Sequence, residues 1–124
     1  MQGNILRHTV HLHGTLAANA QGYIYLPNGG TLKSIWGVAS NASNATLQLG
    51  TVASATGIKT AYAIGQSGVP IEKKKGDWDG ALNTLGADEN YYVAPGTTLL
   101  WTLDFDGAAG TAGQNVSLGF DFIE

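Results

Sequence analysis

The sequence predicts an all-β protein, a jelly-roll-like β-sandwich of about eight antiparallel strands. Short segments alternate apolar and polar residues with a period of two, as strands with one buried face do. No segment repeats its apolar residues at the helical period of about 3.6 residues. The 124 residues include 18 glycines, which favour turns, and many turns imply many short strands. We therefore expect less than about a tenth of the chain to be helical.

Eight segments carry the strand pattern. In chain order they are residues 5–16, 23–26, 31–39, 46–52, 58–64, 91–93, 98–105 and 116–123. In the first segment, Val10 and Leu12 alternate with Thr9, His11 and His13. The second, YIYL, stops at a proline, and the Asn-Gly-Gly that follows is typical of a turn because these residues tolerate positive φ.

The next three strands differ in the burial that their patterns predict. Residues 31–39 are apolar on both faces, which predicts an interior strand with Leu32 and Trp36 on the same face. Residues 46–52 follow a polar loop and should form a hairpin with that strand. Residues 58–64 alternate large and small side chains, so we expect one buried face there.

The alternation is lost between residues 65 and 90 and returns in the last third of the chain. The interval contains glycines, three consecutive lysines and several acidic and amide residues, so we interpret it as a long loop. Such loops are uncommon in a compact domain and often carry function. Residues 98–105 then place Trp101 among apolar neighbours, and residues 116–123 place Phe120 and three other apolar side chains on one face.

Length and composition limit the classes of protein that fit. We expect one domain, residues 1–124, with a short N-terminal arm at about residues 1–6. The hydrophobic fraction of 44% and the net charge of −3 predict a folded chain. No run of about 18 apolar residues or basic N-terminal leader is present, so we expect a soluble protein without a membrane span or classical secretion signal. The lack of cysteine excludes disulfides and thiolate sites.

Two motifs carry metal-binding side chains without completing a site. His11 and His13 share one face of a strand, where a metal-dependent cupin would add a glutamate about four residues on and a later histidine. Residues 17 and 18 are alanines, and no histidine follows His13. The DWDG motif at Asp77 and the DFDG motif at Asp104 resemble fragments of calcium loops but lack the remaining ligands. We expect no metal or other cofactor, although a histidine site shared between subunits stays open.

The basic cluster Lys73, Lys74 and Lys75 is weak support for nucleic-acid binding. In an acidic protein without an adjacent aromatic platform, three lysines favour a solvated loop or an acidic protein partner. The sequence contains no nucleophile elbow, phosphate-binding loop or dinucleotide-binding glycine pattern. We therefore expect a protein that is not an enzyme and binds neither nucleic acid nor membrane.

The aromatic residues divide between a core role and a surface role. Trp36 and Trp101 lie in strongly apolar strands and are predicted in the core, whereas Trp78, in the long loop, is predicted to be exposed. Trp78 with Tyr91 and Tyr92 could stack on a sugar, as in a carbohydrate-binding module. That interpretation requires the three rings to be exposed and coplanar.

The last third of the chain has a recognisable pattern: a Pro-Gly-Thr turn, the strand TLLWTLDFDG, a Gly/Ala loop and the final strand NVSLGFDFIE. In this pattern, and in its strand rhythm elsewhere, the chain resembles the small jelly-roll structural proteins of tailed bacteriophages, of the head decoration or cement type. The resemblance implies a viral protein that is made in the host cytoplasm and resides on the capsid exterior of the virion. It further implies a homotrimer that clamps neighbouring subunits of the major capsid protein lattice.

On this interpretation, residues outside the core strands should contact the capsid or other subunits. The expected contact residues are Gln2, Asn4, Ile5, Leu6, Lys73, Lys74, Lys75 and Trp78. The alternative is a carbohydrate-binding jelly-roll module, such as the receptor-binding tip of a phage fibre. A third interpretation, a cupin-like enzyme, requires His11 and His13 to point into the barrel.

Overall fold

The computed structural model describes residues 5–83 and 91–124, and these residues form nine strands and no helix. The strands are β1 (Ile5–Thr15), β2 (Ala20–Leu26), β3 (Gly30–Val38), β4 (Thr46–Gly50), β5 (Lys59–Ala63), β6 (Ile71–Lys74), β7 (Tyr91–Val93), β8 (Thr97–Asp104) and β9 (Gln114–Ile123). The predicted all-β fold is confirmed. Nothing helical in these ranges could cross a lipid bilayer.

The strands form two antiparallel sheets that pack as a sandwich. The first sheet has the order β1-β9-β3, and β6 and β7 pair one after the other along the remaining edge of β3. The second sheet has the order β2-β8-β4-β5. With β6 and β7 counted as one interrupted strand, this is an eight-strand jelly roll. The last strand of the chain, β9, therefore lies in the interior of its sheet between β1 and β3.

The hydrophobic core lies between the sheets and is centred on β8 and β9. Trp101 and Phe120 stack with ring centroids 6.4 Å apart and an interplanar angle of 27°. The inward residues of β9 have no exposed surface; they are Val116, Leu118, Phe120 and Phe122. Full burial of each such side chain contributes roughly 1.5–3 kcal/mol. The core roles predicted for Trp101 and for the alternating residues of β9 match these positions.

A bulge in β3 reverses the faces that the simple alternation predicts. The register against β9 shifts between Leu32 and Ser34, so the strand carries one extra residue there. Leu32 and Ile35 both point into the core, and Trp36 is turned to the outer face. A one-residue shift exchanges the two faces of a strand from that point on. The prediction that Trp36 is a core residue is therefore wrong.

The interval that the sequence predicts as a loop, residues 65–90, includes a strand. Residues Ile71–Lys74 form β6 and pair with β3 from Ser34 to Gly37. Two of these four residues are lysines and one is a glutamate, so the strand lacks the apolar alternation that indicates a buried face. This is why the sequence pattern does not reveal it.

Trp78 is 2% exposed, so the prediction that it lies on the surface is also wrong. After β6 the chain returns to the second sheet, where the Gly80 N–H donates to the Ile58 oxygen at 3.0 Å. The Leu82 N–H donates to the Gly57 oxygen at 2.7 Å. These backbone hydrogen bonds fix the segment that contains Trp78, and the segment in turn places the indole against the core. No described atom accepts a hydrogen bond from its Nε1.

The N-terminal arm expected at residues 1–6 is, in its described part, the beginning of a strand. Ile5 and Leu6 pair with Ile123 and Phe122 in β9. Leu6 is partly buried and packs against the core, whereas Ile5 is 61% exposed. The predicted contact residues Gln2 and Asn4 lie outside the described residues.

Candidate functional site

The outer face of the first sheet carries aromatic and charged side chains in rows that run across its strands. At one end, Ile5 in β1 and Tyr92 in β7 share a row and are 61% and 58% exposed. The next row contains Arg7, Asp121 and Lys74, with Arg7 Nε 3.7 Å from Asp121 Oδ1. The fold thus brings Ile5 and Lys74, two of the predicted contact residues, onto one face.

Trp36 is the large aromatic residue in the middle of this face. Its cross-strand partners are Gly119 in β9 and Glu72 in β6. A β-carbon at position 119 would overlap the indole, so glycine there allows the ring to lie directly against the strand. Trp36, Pro70 and Glu72 line a depression of about 340 Å³. The sequence pattern does not reveal this site, because simple alternation without the bulge between Leu32 and Ser34 places Trp36 on the opposite face.

The three consecutive lysines do not form one cationic patch. Lys73 and Lys74 are neighbours in β6, so their side chains point to opposite faces of the sheet. Lys73 is half-buried, with its Nζ 5.5 Å from the centroid of the Tyr62 ring. Lys74 and Lys75 are exposed. A partner can therefore reach Lys74 and Lys75, whereas Lys73 already has a contact within its own chain.

Tyr62 links β5 to β6 where the two sheets meet. The Lys59 Nζ lies 5.6 Å from its ring centroid, on the same ring that Lys73 contacts. The Tyr62 hydroxyl donates a hydrogen bond to the Ile71 oxygen at 3.4 Å. Burial, and to a smaller extent the charge of Glu72, raises the pKa of Tyr62 above its ordinary value. The phenol therefore stays neutral beside the two cations.

Asp79 joins the segment that follows β6 to the start of β5. Its Oδ2 accepts from Lys59 Nζ at 3.1 Å and from Thr60 Oγ1 at 2.7 Å, and its Oδ1 accepts from the Thr60 N–H at 2.9 Å. Burial alone would raise the pKa of Asp79, but these hydrogen bonds and the Lys59 charge lower it to about 2. The Lys59 side chain is 8% exposed, so Asp79 neutralises a nearly buried ammonium.

We expect Asp79→Asn to lower the free energy of unfolding by about 1 kcal/mol near neutral pH, a modest value because the carboxylate is 52% exposed and screened by solvent. The folded pKa of about 2 lies below the ordinary value of 3.8. The ionised carboxylate therefore stabilises the fold fully above pH 3.8, and this contribution is lost as the pH falls from there through 2. Urea unfolding of the wild type and the variant at neutral and acidic pH should show that their difference in free energy of unfolding becomes smaller in acid. A difference that stays constant or becomes larger would contradict this role.

His11 and His13 lie on the outer side of β1 and are exposed, so they do not point into the barrel as the cupin-like interpretation requires. The His11 Nδ1 lies 2.9 Å from the Ser117 Oγ. Within residues 5–83 and 91–124, no three histidine, aspartate or glutamate side chains are grouped so that they could hold a metal ion. In the two Asp-x-Asp-Gly motifs, Asp77 and Asp104 each accept a hydrogen bond from a nearby backbone N–H.

Chelation should therefore leave the fold unchanged. We expect the melting temperature to be the same with and without EDTA. A chelator lowers the melting temperature only where a bound metal stabilises the fold. A metal-binding protein treated in parallel controls for the chelator. A fall of more than a few degrees would show that a metal is part of the structure.

Trp78, Tyr91 and Tyr92 do not form the sugar platform considered from the sequence. Trp78 is buried, and Tyr91 is half-buried against the core, where burial raises its pKa. Tyr92 is exposed on the opposite face of the same strand. The three rings are therefore neither all exposed nor on one surface.

The outer face of the second sheet is aromatic and almost free of charge. Tyr23 and Tyr25 lie side by side on β2 and are 63% and 58% exposed. Tyr23 is the cross-strand partner of Leu100, the apolar centre of the face. The other described residues of this face in β2, β8 and β4 are Gln21, Thr98, Thr102, Asp104, Thr46, Gln48 and Gly50. Among them only Asp104, at the margin, is charged.

No protein-family model and no curated protein matches the chain. Among solved structures, a chain of the cyanophage Pam1 capsid asymmetric unit matches with a TM-score of 0.52 and 17% identity, covering 98% of this chain and 86% of that chain. The two chains therefore share the fold over nearly their whole lengths. The crystal structure of Yersinia pseudotuberculosis-derived mitogen matches with 13% identity and the same two coverages, but its TM-score of 0.38 is too low to indicate a common fold.

Proposed function

We propose that this protein is a structural component of a bacteriophage virion, a head decoration protein that binds as a homotrimer to the outer surface of the assembled capsid and stabilises it. The main support is the fold shared, over 98% of the chain, with a component of a cyanophage capsid asymmetric unit. A cement protein requires rigidity and self-complementary surfaces, and it requires no reactive group. A nine-stranded sandwich with a continuous core meets the first requirement.

The outer face of the second sheet is the surface that we assign to contacts between the three subunits. Protein interfaces are enriched in tyrosine and depleted of charge at their centres. Tyr23, Tyr25 and Leu100 supply aromatic and apolar surface there, surrounded by threonine and glutamine. Replacing Tyr23 and Tyr25 with aspartate would put two charges into each copy of the interface.

The contacts with the capsid lattice are assigned to the N-terminal residues and the edge formed by β6. Ile5 and Tyr92 form an exposed apolar row, and Lys74 and Lys75 are exposed on the same sheet or directly after it. The predicted contacts Gln2 and Asn4 precede Ile5 in the sequence. These surfaces lie on the first sheet, so a trimer joined through the second sheet leaves them available.

The direct test is reconstitution on particles assembled without this protein. Purified protein should cosediment with the particles, raise their melting temperature and appear by cryo-electron microscopy as trimeric density on the capsid exterior. Sedimentation of the free protein at micromolar concentration should give a trimer, and the Tyr23→Asp/Tyr25→Asp variant should give a monomer. Failure to attach to the particles would refute the decoration role, and a wild-type monomer would refute the trimer.

A further inference from the structure

The depression lined by Trp36, Pro70 and Glu72 has the size and composition of a small ligand site. Its volume of about 340 Å³ is near the lower end of the range of small-molecule pockets, roughly 300–1,000 Å³. Trp36 and Glu72 are cross-strand partners, so the indole and the carboxylate stand side by side on the outer face of the first sheet. The site thus offers an aromatic surface and a hydrogen-bond acceptor together.

The indole is held in place before any ligand binds. Its Cε2 and Nε1 atoms rest against Gly119, where any β-carbon would overlap them. The ring nevertheless keeps part of its surface exposed and borders the depression. A side chain that is already ordered loses little conformational freedom on binding, which favours affinity.

The polar group beside the ring can accept hydrogen bonds from a ligand. No described residue donates a hydrogen bond to the Glu72 carboxylate, so its oxygens can accept from a ligand. In the adjacent row, Asp121 accepts from Ser34 Oγ at 3.4 Å and lies beside Arg7. Glu72 is the charged residue among the three that line the depression, and Arg7 lies beside Asp121 in the next row. The carboxylate in the lining disfavours an anionic ligand.

We propose that this depression, the Trp36–Glu72 site, binds a neutral pyranose unit of a polysaccharide. A pyranose has one face of C–H groups, which can pack on the negative face of an aromatic ring. Its hydroxyl groups can donate to the Glu72 carboxylate. The Glu72 carboxylate in the lining favours an uncharged sugar over a sulfated or sialylated one. The ring proposed to stack on the sugar is thus Trp36, and not the buried Trp78 that the sequence suggested.

The Trp36–Glu72 site lies apart from the N-terminal row assigned to the capsid, although Glu72 shares β6 with Lys74. Thr9, which shares the Trp36 row through Gly119, lies four residues along β1 from Ile5. At about 3.3 Å per residue, this is roughly 13 Å. Contact through the N-terminal row therefore leaves the site open. Sugar binding is measured on the free protein, so its outcome does not depend on the decoration role.

The test is an NMR titration of the full-length protein with the neutral disaccharides lactose, maltose and cellobiose at millimolar concentration. The Trp36 indole N–H signal, identified by its loss in Trp36→Phe, should move with at least one disaccharide, and the Trp78 and Trp101 signals should not. Trp36→Ala should weaken binding at least about tenfold, and Glu72→Gln should weaken it severalfold. Tyr92→Ala, which removes an exposed aromatic residue of the same sheet, is the matched control and should bind normally.

Gly119→Ala provides a second variant that retains the tryptophan. Its added methyl group should displace the indole and weaken binding while the dispersed NMR spectrum of the fold persists. The proposal is overturned if no disaccharide moves the Trp36 signal or if Trp36→Ala binds as well as the wild type. It is also overturned if a sulfated sugar binds better than its neutral parent, or if a proline-rich peptide moves the signal and the sugars do not.

Discussion

Replacing Trp78 with alanine is expected to lower the free energy of unfolding by about 3–5 kcal/mol, as large-to-small changes of buried aromatic residues do. The indole is 2% exposed and is held against the core by the segment that pairs with Gly57 and Ile58. The change therefore leaves a cavity and also weakens the attachment of that segment. Urea unfolding at a fixed protein concentration measures the loss, because the stability of an oligomer depends on concentration.

Two variants show whether burial is the cause. Tyr92→Ala removes an aromatic residue that is 58% exposed and should change stability by no more than about 0.5 kcal/mol. Trp78→Phe keeps most of the volume and removes an Nε1 that has no described acceptor, so its cost should be well below that of alanine. If Trp78→Ala behaves like Tyr92→Ala, the indole is not part of the core.

Binding to an assembled capsid lattice should be about 10² to 10⁴ times tighter than binding to one isolated capsid subunit. A trimer presents three equivalent sets of contacts, so the second and third contacts form at high effective concentration. This avidity needs no additional contact surface. Cosedimentation with undecorated particles gives the first affinity, and titration of the isolated major capsid protein gives the second.

The monomeric variant separates avidity from contact strength. Tyr23→Asp/Tyr25→Asp should bind the isolated subunit as the wild type does. It should lose most of the additional affinity that the wild type shows for the lattice. Deletion of residues 1–4 should weaken both interactions and leave the trimer intact. Equal affinity of the wild type for subunit and lattice would contradict the proposed mode of attachment.

The strands with regular alternation could be predicted from the sequence, whereas the two deviations from alternation could not. In β9 each inward residue is apolar, and every second residue fits the core. In β3 one extra residue between Leu32 and Ser34 moves Trp36 to the surface. Nothing in TLKSIWGVA marks the bulge, because both faces of the segment are apolar enough to be buried.

The candidate surface was predictable only in part, because it depends on long-range pairing. Ile5 and Lys74 are both predicted contacts, but only the pairing of β1 with β9 and of β6 with β3 places them on one face. Trp78 is misassigned because a tryptophan among glycine, aspartate and lysine has the composition of an exposed loop. Its burial results from the return of that loop over Gly57, which no local pattern encodes.

The interior position of β9 determines when this protein can fold. β1 and β3 have no direct pairing with each other and meet only through β9, which ends at Ile123. The first sheet cannot close until β9 has left the ribosome, and synthesis of the residues from β1 to β9 takes on the order of ten seconds at typical rates. Pairing between strands as distant in the sequence as β1 and β9 also makes folding slow, in the range of milliseconds to seconds for sandwiches. A chain that is truncated before β9 leaves two strand edges unpaired, so incomplete products should aggregate or be degraded and would not enter an assembly.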